Sequence, residues 1–140
     1  MSNACVFCGI VRGDEPASIV WQDELTLAFL DLRQFHPGHT LVIPRRHLGD
    51  VRELDAASGA ALMATVARVT RAVAAAFPND GLSLWHSIGA AAFQEVPHLH
   101  VHVHPRLPAD QLLQVYPRTA PLPGRGKLDE YAATLRAHLQ

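Results

Sequence analysis

Four histidines occupy every second position of one apolar segment, His98-Leu99-His100-Val101-His102-Val103-His104. Side chains alternate between the two faces of a β-strand, so this spacing predicts that the four imidazoles share one face and the aliphatic residues the other. Imidazole is the side chain whose ordinary pKa lies nearest neutrality. The row is therefore suited to binding a metal, attacking phosphorus or transferring protons, and a strand that merely exposes its histidines to solvent is the less favoured interpretation.

Attack on phosphorus requires one ring nitrogen to be deprotonated while the other donates a hydrogen bond that fixes the tautomer. We expect His100, in the middle of the row, to be this nucleophile because a strand would hold it rigidly. His102 beside it would supply an N–H donor to the phosphoryl oxygens. Gln94, just before the row, offers an amide for a phosphate or leaving-group oxygen, although a surface glutamine in a loop fits its position equally well.

Both cysteines of the chain lie in Cys5-Val6-Phe7-Cys8, and their two-residue gap is typical of structural zinc sites. Such a site needs two more ligands, and His47 and His98 are the candidates. The alternatives are two small buried hydrophobic residues or a redox pair. A thioredoxin-type motif is disfavoured, because no strand precedes the cysteines and no long helix clearly follows them.

The composition bounds the class of protein. A chain of 140 residues with 12 basic and 13 acidic side chains fits one domain, residues 1–140, without the broad charge footprint of a nucleic-acid-binding protein. The first residues lack a signal-peptide pattern, and no segment approaches the length of a membrane span. These features predict a cytoplasmic protein with neither a nucleic-acid nor a membrane partner.

The hydrophobic periodicity predicts an α+β fold, with an antiparallel sheet of about five strands, one long helix and a short C-terminal helix. Residues 55–77 show helical spacing after Asp55, a plausible N-cap. The tail, residues 118–140, is a proline- and glycine-rich loop that ends in a short helix at 128–139. The predicted strands are 19–23 and 25–30, which form a hairpin, a central strand at 40–43, then 82–86 and the histidine strand.

Several motifs together resemble the histidine triad family of nucleotide hydrolases and transferases. They are the histidine row itself, Cys5-Val6-Phe7-Cys8-Gly9-Ile10-Val11-Arg12-Gly13, Ala28-Phe29-Leu30-Asp31, the segment from His36 to His47, and Gln94-Glu95-Val96-Pro97. The resemblance covers nearly the whole chain. It implies cleavage of a phosphoanhydride or phosphoramidate at the α-phosphate of a nucleoside phosphate, with a purine base expected. His100 would carry the nucleoside monophosphate until water releases it, no catalytic metal would be required, and the protein would be a homodimer.

The resemblance also implies a role for individual residues. His98, His100 and His102 would form the triad, His39 would orient it and Gln94 would lie near the scissile bond. Asp31 would accept hydrogen bonds from the ribose hydroxyls, and Ser87 would stand at a position that contacts the nucleotide. The apolar walls around the base would be Val6, Phe7, Ile10, Phe29 and Leu32. The ligands of a structural zinc would be Cys5, Cys8, His47 and His98.

The sequence departs from the family pattern at three positions. Ser87 replaces an asparagine, Phe93 replaces a glycine, and His104 replaces an apolar residue. We expect Phe93 to narrow the pocket or displace its loop. His104 would be either a fourth imidazole near the site or a residue at its rim, and the rim is favoured because His104 ends the strand. Two other functions stay open: a non-catalytic nucleotide-binding or signalling module with a structural zinc, and a zinc-handling protein that uses the full histidine row.

Overall fold

The computed structural model describes residues 4–139. They divide into two compact units, one up to Asp110 and one from Gln111 onwards. The elements in chain order are α1 (Val6–Arg12), β1 (Ile19–Gln22), β2 (Thr26–Leu30), β3 (Thr40–Pro44), a 3₁₀ turn (Val51–Glu53), α2 (Ala56–Ala76), β4 (Gly81–Trp85), a 3₁₀ turn (Ala90–Ala92), β5 (Val101–Arg106) and α3 (Arg125–Arg136).

The five strands form one sheet in the order β1-β2-β3-β5-β4, and every neighbouring pair is antiparallel. The predicted α+β class, with a five-stranded antiparallel sheet, is confirmed, and β3 is its central strand. α3 lies alone in the second unit and begins at Arg125, three residues before the predicted start of the C-terminal helix.

Helix α2 covers one face of the sheet. Asp55 caps it by accepting a hydrogen bond from the Ser58 N–H at 2.7 Å. Its buried stripe recurs at three- and four-residue steps, as an amphipathic helix requires. The core on this face comprises Ala28, Val42, Leu48, Leu62, Val66, Val69, Val73, Leu99 and Val103.

The opposite face of the sheet carries α1 and the imidazoles. Its core contains Phe7, Ile10, Leu27, Phe29, Leu41 and Ile43. His102 pairs with Leu41 across β3 and β5, so both side chains point to this face. The alternation predicted for the histidine row therefore holds, because Leu99 and Val103 pack under α2 while the imidazoles face the side of α1.

Two local features differ from the expectations. α1 was not predicted, because seven residues carry too little periodicity; Cys5 caps it and Gly13 ends it with a left-handed backbone, φ 85°. The regular strand β5 begins only at Val101, so His98 and His100 precede it in an extended segment tied to the rest of the fold by the Leu99 N–H, which donates to the Leu48 carbonyl at 2.7 Å.

Helix α2 also corrects the expectation that no segment approaches the length of a membrane span. It has 21 residues and a mean hydropathy of 1.2, so by length and composition alone it could cross a membrane. Its apolar stripe is packed on the sheet, as in the core helix of a folded domain. No other helix among residues 4–139 meets the same criteria.

Candidate active site

Among residues 4–139, the Nδ1 atom of the His100 ring has a hydrogen-bond partner and the Nε2 atom has none. Its Nδ1 lies 2.7 Å from the His98 carbonyl oxygen. A carbonyl can only accept, so Nδ1 carries the proton and Nε2 keeps its lone pair. Burial lowers the pKa of His100, which keeps the ring neutral. A neutral imidazole with one nitrogen anchored to the main chain and the other unprotonated is the form required of a nucleophile.

His102 and His39 form a hydrogen-bonded pair, with His39 Nε2 2.9 Å from His102 Nδ1. The other nitrogen of His39 lies 3.3 Å from the Arg33 carbonyl oxygen, and Asp31 Oδ2 lies 3.7 Å from His39 Nε2. Burial, followed by the neighbouring imidazoles, lowers the pKa of His102 to about 3. Burial is also the largest cause that lowers the pKa of His39, and it outweighs the opposing effect of the Asp31 carboxylate. Both rings are therefore neutral at physiological pH.

Trp85, in β4, and His86, just after it, support the row, and neither was predicted as a site residue from the sequence. The Trp85 ring stacks on His102 with centroids 4.4 Å apart and planes 8° from parallel. His86 Nδ1 donates to the His100 carbonyl at 3.1 Å, and His86 Nε2 accepts from the Val51 N–H at 3.3 Å. The pairing of β4 with β5 places Trp85 opposite His102, and a prediction of that pairing would have brought Trp85 to the site.

His104 is fully buried, so the favoured position at the rim is wrong, and the other alternative, a fourth imidazole near the site, agrees with the structure. Its ring lies 4.4 Å from that of His39 and 5.6 Å from that of His36. Nδ1 donates to the Pro105 carbonyl at 2.7 Å, whereas Nε2 has no hydrogen-bond partner among residues 4–139. The last position of the row suggested a rim residue, but β5 continues to Arg106 and His104 is buried within it.

A cavity of about 400 Å³ adjoins the row. Phe7 links the two, since it lines the cavity and its ring centroid lies 5.2 Å from that of His100. Asp31 lies at the cavity and also beside His39. All six residues expected around a base and ribose line this cavity: Val6, Phe7, Ile10, Phe29, Asp31 and Leu32.

The loop between β4 and the row places three other residues. The Gln94 amide oxygen accepts from the Gly89 N–H at 2.8 Å, and its amide nitrogen lies 3.5 Å from the Val96 carbonyl, so the side chain braces its own loop. Ser87 and Gln94 are not in the cavity lining. Phe93 adopts φ 63°, the left-handed region that favours glycine, and its side chain is 89% exposed. Of the two alternatives for Phe93, narrowing of the pocket is wrong, because the residue is exposed and does not line the cavity.

Cys5, Cys8, His47 and His98 form a group that could hold a metal ion, since their ligand atoms all lie within 4.8 Å of one another. His98 Nε2 donates to the Pro44 carbonyl at 2.9 Å, which leaves the Nδ1 lone pair facing Cys5 Sγ at 3.4 Å and Cys8 Sγ at 3.6 Å. Metal-binding histidines typically donate their other N–H in this way. The donor set, two thiols and two imidazoles, fits zinc.

Burial and the neighbouring Cys5 thiol raise the pKa of Cys8. A bound cation opposes this effect, because it favours the thiolate. The group also joins three separate segments: α1, the loop after β3 and the segment before β5. The residues present therefore fit a structural zinc.

The chain is similar in sequence and in fold to known proteins. The HIT domain family model matches residues 12–109. The chain is 36% identical over 103 residues to a Schizosaccharomyces pombe protein named adenosine 5'-monophosphoramidase, covering 74% of each protein. It is 35% identical over 112 residues to an Arabidopsis thaliana protein named adenylylsulfatase, covering 80% of this chain and 57% of that protein. The crystal structure of a HIT family member from Bacillus subtilis matches with a TM-score of 0.92 at 32% identity, covering 99% of both chains.

The low pKa of His102 predicts a pH dependence of stability. In the unfolded chain His102 takes up a proton near its ordinary pKa of 6.5, whereas in the folded protein it does so only near 3. Between these values the unfolded state binds more protons, so the free energy of unfolding falls as the pH falls below 6.5. Urea unfolding should show a steeper loss in the wild type than in His102→Gln between pH 7 and pH 4.5, by up to about 1.4 kcal/mol per pH unit. Equal slopes would contradict this assignment.

The backbone of Phe93 predicts a difference between two truncations. Phe93→Gly and Phe93→Ala both remove the exposed ring, but only alanine keeps a Cβ in the left-handed conformation. We expect the glycine variant to have the larger free energy of unfolding, by about 1 kcal/mol, in chemical denaturation. A more stable alanine variant would show that the loop does not hold this conformation in solution.

Proposed function

The chain belongs to the histidine triad (HIT) domain family, and we propose that it hydrolyses or transfers nucleotides at the α-phosphate through a covalent intermediate on His100. The observation that carries the proposal is the tautomer of His100, whose Nδ1–H is held by the main chain while Nε2 is left unprotonated. The cavity beside it is lined mainly by apolar side chains, which suit a base, and Asp31 is one of its four charged residues, with Glu15, Arg33 and Glu95. This lining supports a nucleoside phosphate as the ligand.

The proposed reaction has two steps. His100 Nε2 attacks the α-phosphorus, a P–N bond forms, and the bond from phosphorus to the leaving group breaks as that group departs with a proton taken from solvent. Water then attacks the same phosphorus and loses a proton to solvent, the P–N bond breaks, and the nucleoside monophosphate leaves with the neutral imidazole restored. Neither of the two proposed reaction steps requires a metal.

The neighbouring residues take supporting roles in the proposal. A bound phosphate anion would favour protonation of His102, whose Nε2–H then donates to a phosphoryl oxygen. His39 holds His102 through the 2.9 Å bond, and His98 supplies the carbonyl that anchors His100. Asp31 would accept from the ribose hydroxyls. Ser87 and Gln94 would contact nucleotide or leaving group only if their loop moves, since Gln94 now bonds its own main chain.

Two relatives support an adenylyl substrate. One is named for cleaving adenosine 5'-monophosphoramidate and the other as an adenylylsulfatase, and both names share the adenylyl group while the leaving groups differ. We therefore propose a purine nucleoside phosphate with a phosphoramidate or phosphoanhydride bond. The proposal also includes a homodimer and a cytoplasmic location, both carried over from the family resemblance.

The second part of the proposal is a structural zinc held by Cys5, Cys8, His47 and His98. The support is the fixed tautomer of His98 and the convergence of three chain segments on the four donors. Bound zinc would stabilise the fold by connecting these segments. His98 would then serve both sites, because its ring faces the thiols while its carbonyl holds His100.

Replacement of His100 tests the reaction. His100→Ala should reduce the hydrolysis of adenosine 5'-monophosphoramidate and of a dinucleoside polyphosphate by at least about a thousandfold, because the nucleophile is lost. Binding of AMP, measured by calorimetry, should remain. His138→Ala is the matched control, since His138 is an exposed imidazole of the second unit, and it should keep full activity. Unchanged turnover in His100→Ala would refute the mechanism, and AMP binding without turnover in the wild type would favour the non-catalytic module.

Metal analysis tests the zinc. The purified protein should contain one tightly held zinc per chain, and Cys8→Ser should lose it and unfold at a lower temperature. His138→Ala again serves as the control, with wild-type zinc content. A zinc-free protein whose thermal unfolding is unaffected by added zinc would contradict a structural site.

A further inference from the structure

A second group of metal-ligand atoms lies away from the cysteines. The side chains of Asp31, His39 and His102, called the Asp31 trio below, bring three donor atoms within 4.8 Å of one another. His39 Nε2 lies 2.9 Å from His102 Nδ1 and 3.7 Å from Asp31 Oδ2. Ligands of a four- to six-coordinate metal at about 2.1 Å stand roughly 3.0–3.4 Å apart, so these separations need only small adjustments.

In the Asp31 trio, Asp31 and His39 already make hydrogen bonds through the atoms that would not contact a metal. The main chain of Arg33 makes two of them: its N–H donates to Asp31 Oδ1 at 2.8 Å, and its carbonyl accepts from His39 Nδ1 at 3.3 Å. These bonds leave Asp31 Oδ2 and His39 Nε2 directed toward each other. Bonds of this kind, from the far side of a ligand to a carbonyl or an amide, orient the ligands of metal sites.

The loop that presents Asp31 and His39 is braced by one side chain. The Gln34 amide nitrogen donates to the carbonyls of Asp31 and His39 at 2.7 and 2.9 Å, and its amide oxygen accepts from the Gly38 N–H at 2.9 Å. The Asp31 N–H also donates to the His39 carbonyl at 3.0 Å. The two ligand-bearing positions are therefore held together before any ligand arrives.

From this geometry we propose that the Asp31 trio binds a divalent transition-metal cation such as Zn²⁺, at a site separate from the cysteines. Two imidazoles and one carboxylate favour zinc, iron or cobalt over magnesium and calcium, which take oxygen ligands. Both rings are neutral, so no proton has to leave. On binding, His102 moves its proton from Nδ1 to Nε2, and the metal replaces the hydrogen bond between the two rings.

Occupancy of this site has a consequence that rests on the proposed function. Asp31 and His102 are the residues assigned to the ribose and the phosphate, so the metal and the nucleotide compete for the same groups. The metal acts as an inhibitor of the enzyme, and nucleotide weakens metal binding by the same factor. Excess transition metal then switches off turnover without removing the structural zinc.

Metal titration tests the second site. Protein that holds one zinc at the cysteines is titrated with Zn²⁺ in a calorimeter and with Co²⁺ by visible absorption. We expect one further equivalent in the wild type, and its apparent Kd should rise when AMP is added. Asp31→Asn and His39→Gln should weaken this equivalent by at least about tenfold, because the first loses the charge of the carboxylate and the second loses the imidazole nitrogen.

Two more variants make the test specific. His86→Gln is the matched control: it removes an imidazole beside His100, leaves the three donors in place, and should bind the second equivalent normally. Gln34→Ala keeps all three donors but loses the bonds to the Asp31 and His39 carbonyls, so it should weaken metal binding by up to about tenfold. It also keeps the test decisive if a ligand variant fails to fold.

The outcomes separate this proposal from the catalytic one. The second site is overturned if the wild type binds only its single zinc. It is also overturned if Asp31→Asn and His39→Gln bind the second equivalent as the wild type does, because the metal would then lie on other imidazoles. Titration of His100→Ala should still show the second equivalent. Full hydrolysis by His100→Ala would sink the catalytic mechanism and leave the metal result standing.

Discussion

Main-chain carbonyls decide which nitrogen carries the proton in five of the imidazoles, and the chemistry of this protein depends on that choice. A carbonyl can only accept, so each histidine bonded to one carries its proton on that side and a lone pair on the other. The lone pair of His98 faces the thiols, that of His100 stays available, and that of His39 faces His102. The five carbonyls are those of Pro44 for His98, His98 for His100, His100 for His86, Arg33 for His39 and Pro105 for His104.

The second condition for this chemistry is that the imidazoles are uncharged, and their burial provides it. The sheet and its neighbouring side chains remove water from the row, and desolvation is the largest cause that lowers the pKa of His98, His100, His102 and His104. Uncharged rings can lie 5.0 Å apart, as His100 and His102 do, without the repulsion that charged ones would suffer. The same neutrality leaves lone pairs ready for phosphorus or a metal.

The short helix α1 connects the two sites. Phe7 and Cys8 are adjacent, so one residue lines the cavity and contacts His100 while the next faces the candidate metal ligands. The Phe7 ring also packs edge-on to Phe29 and to His98, at 5.2 and 5.9 Å. A zinc that holds α1 in place would therefore also fix one wall of the cavity, which links the stability of the metal group to the shape of the nucleotide site.

Features that follow from local periodicity were predictable from the residues alone. Alternation between His98 and His104 placed the imidazoles on one face, helical spacing placed α2, and the cysteine gap with His47 and His98 located a group that could hold a metal. The use of each ring depends instead on contacts between segments that are distant in the chain. The burial of His104, the Trp85 stack on His102 and the bonds from Gln34 to the carbonyls of Asp31 and His39 join residues whose relation depends on strand register and loop path. Local spacing cannot encode these contacts, because they form when distant segments pack together and exclude water.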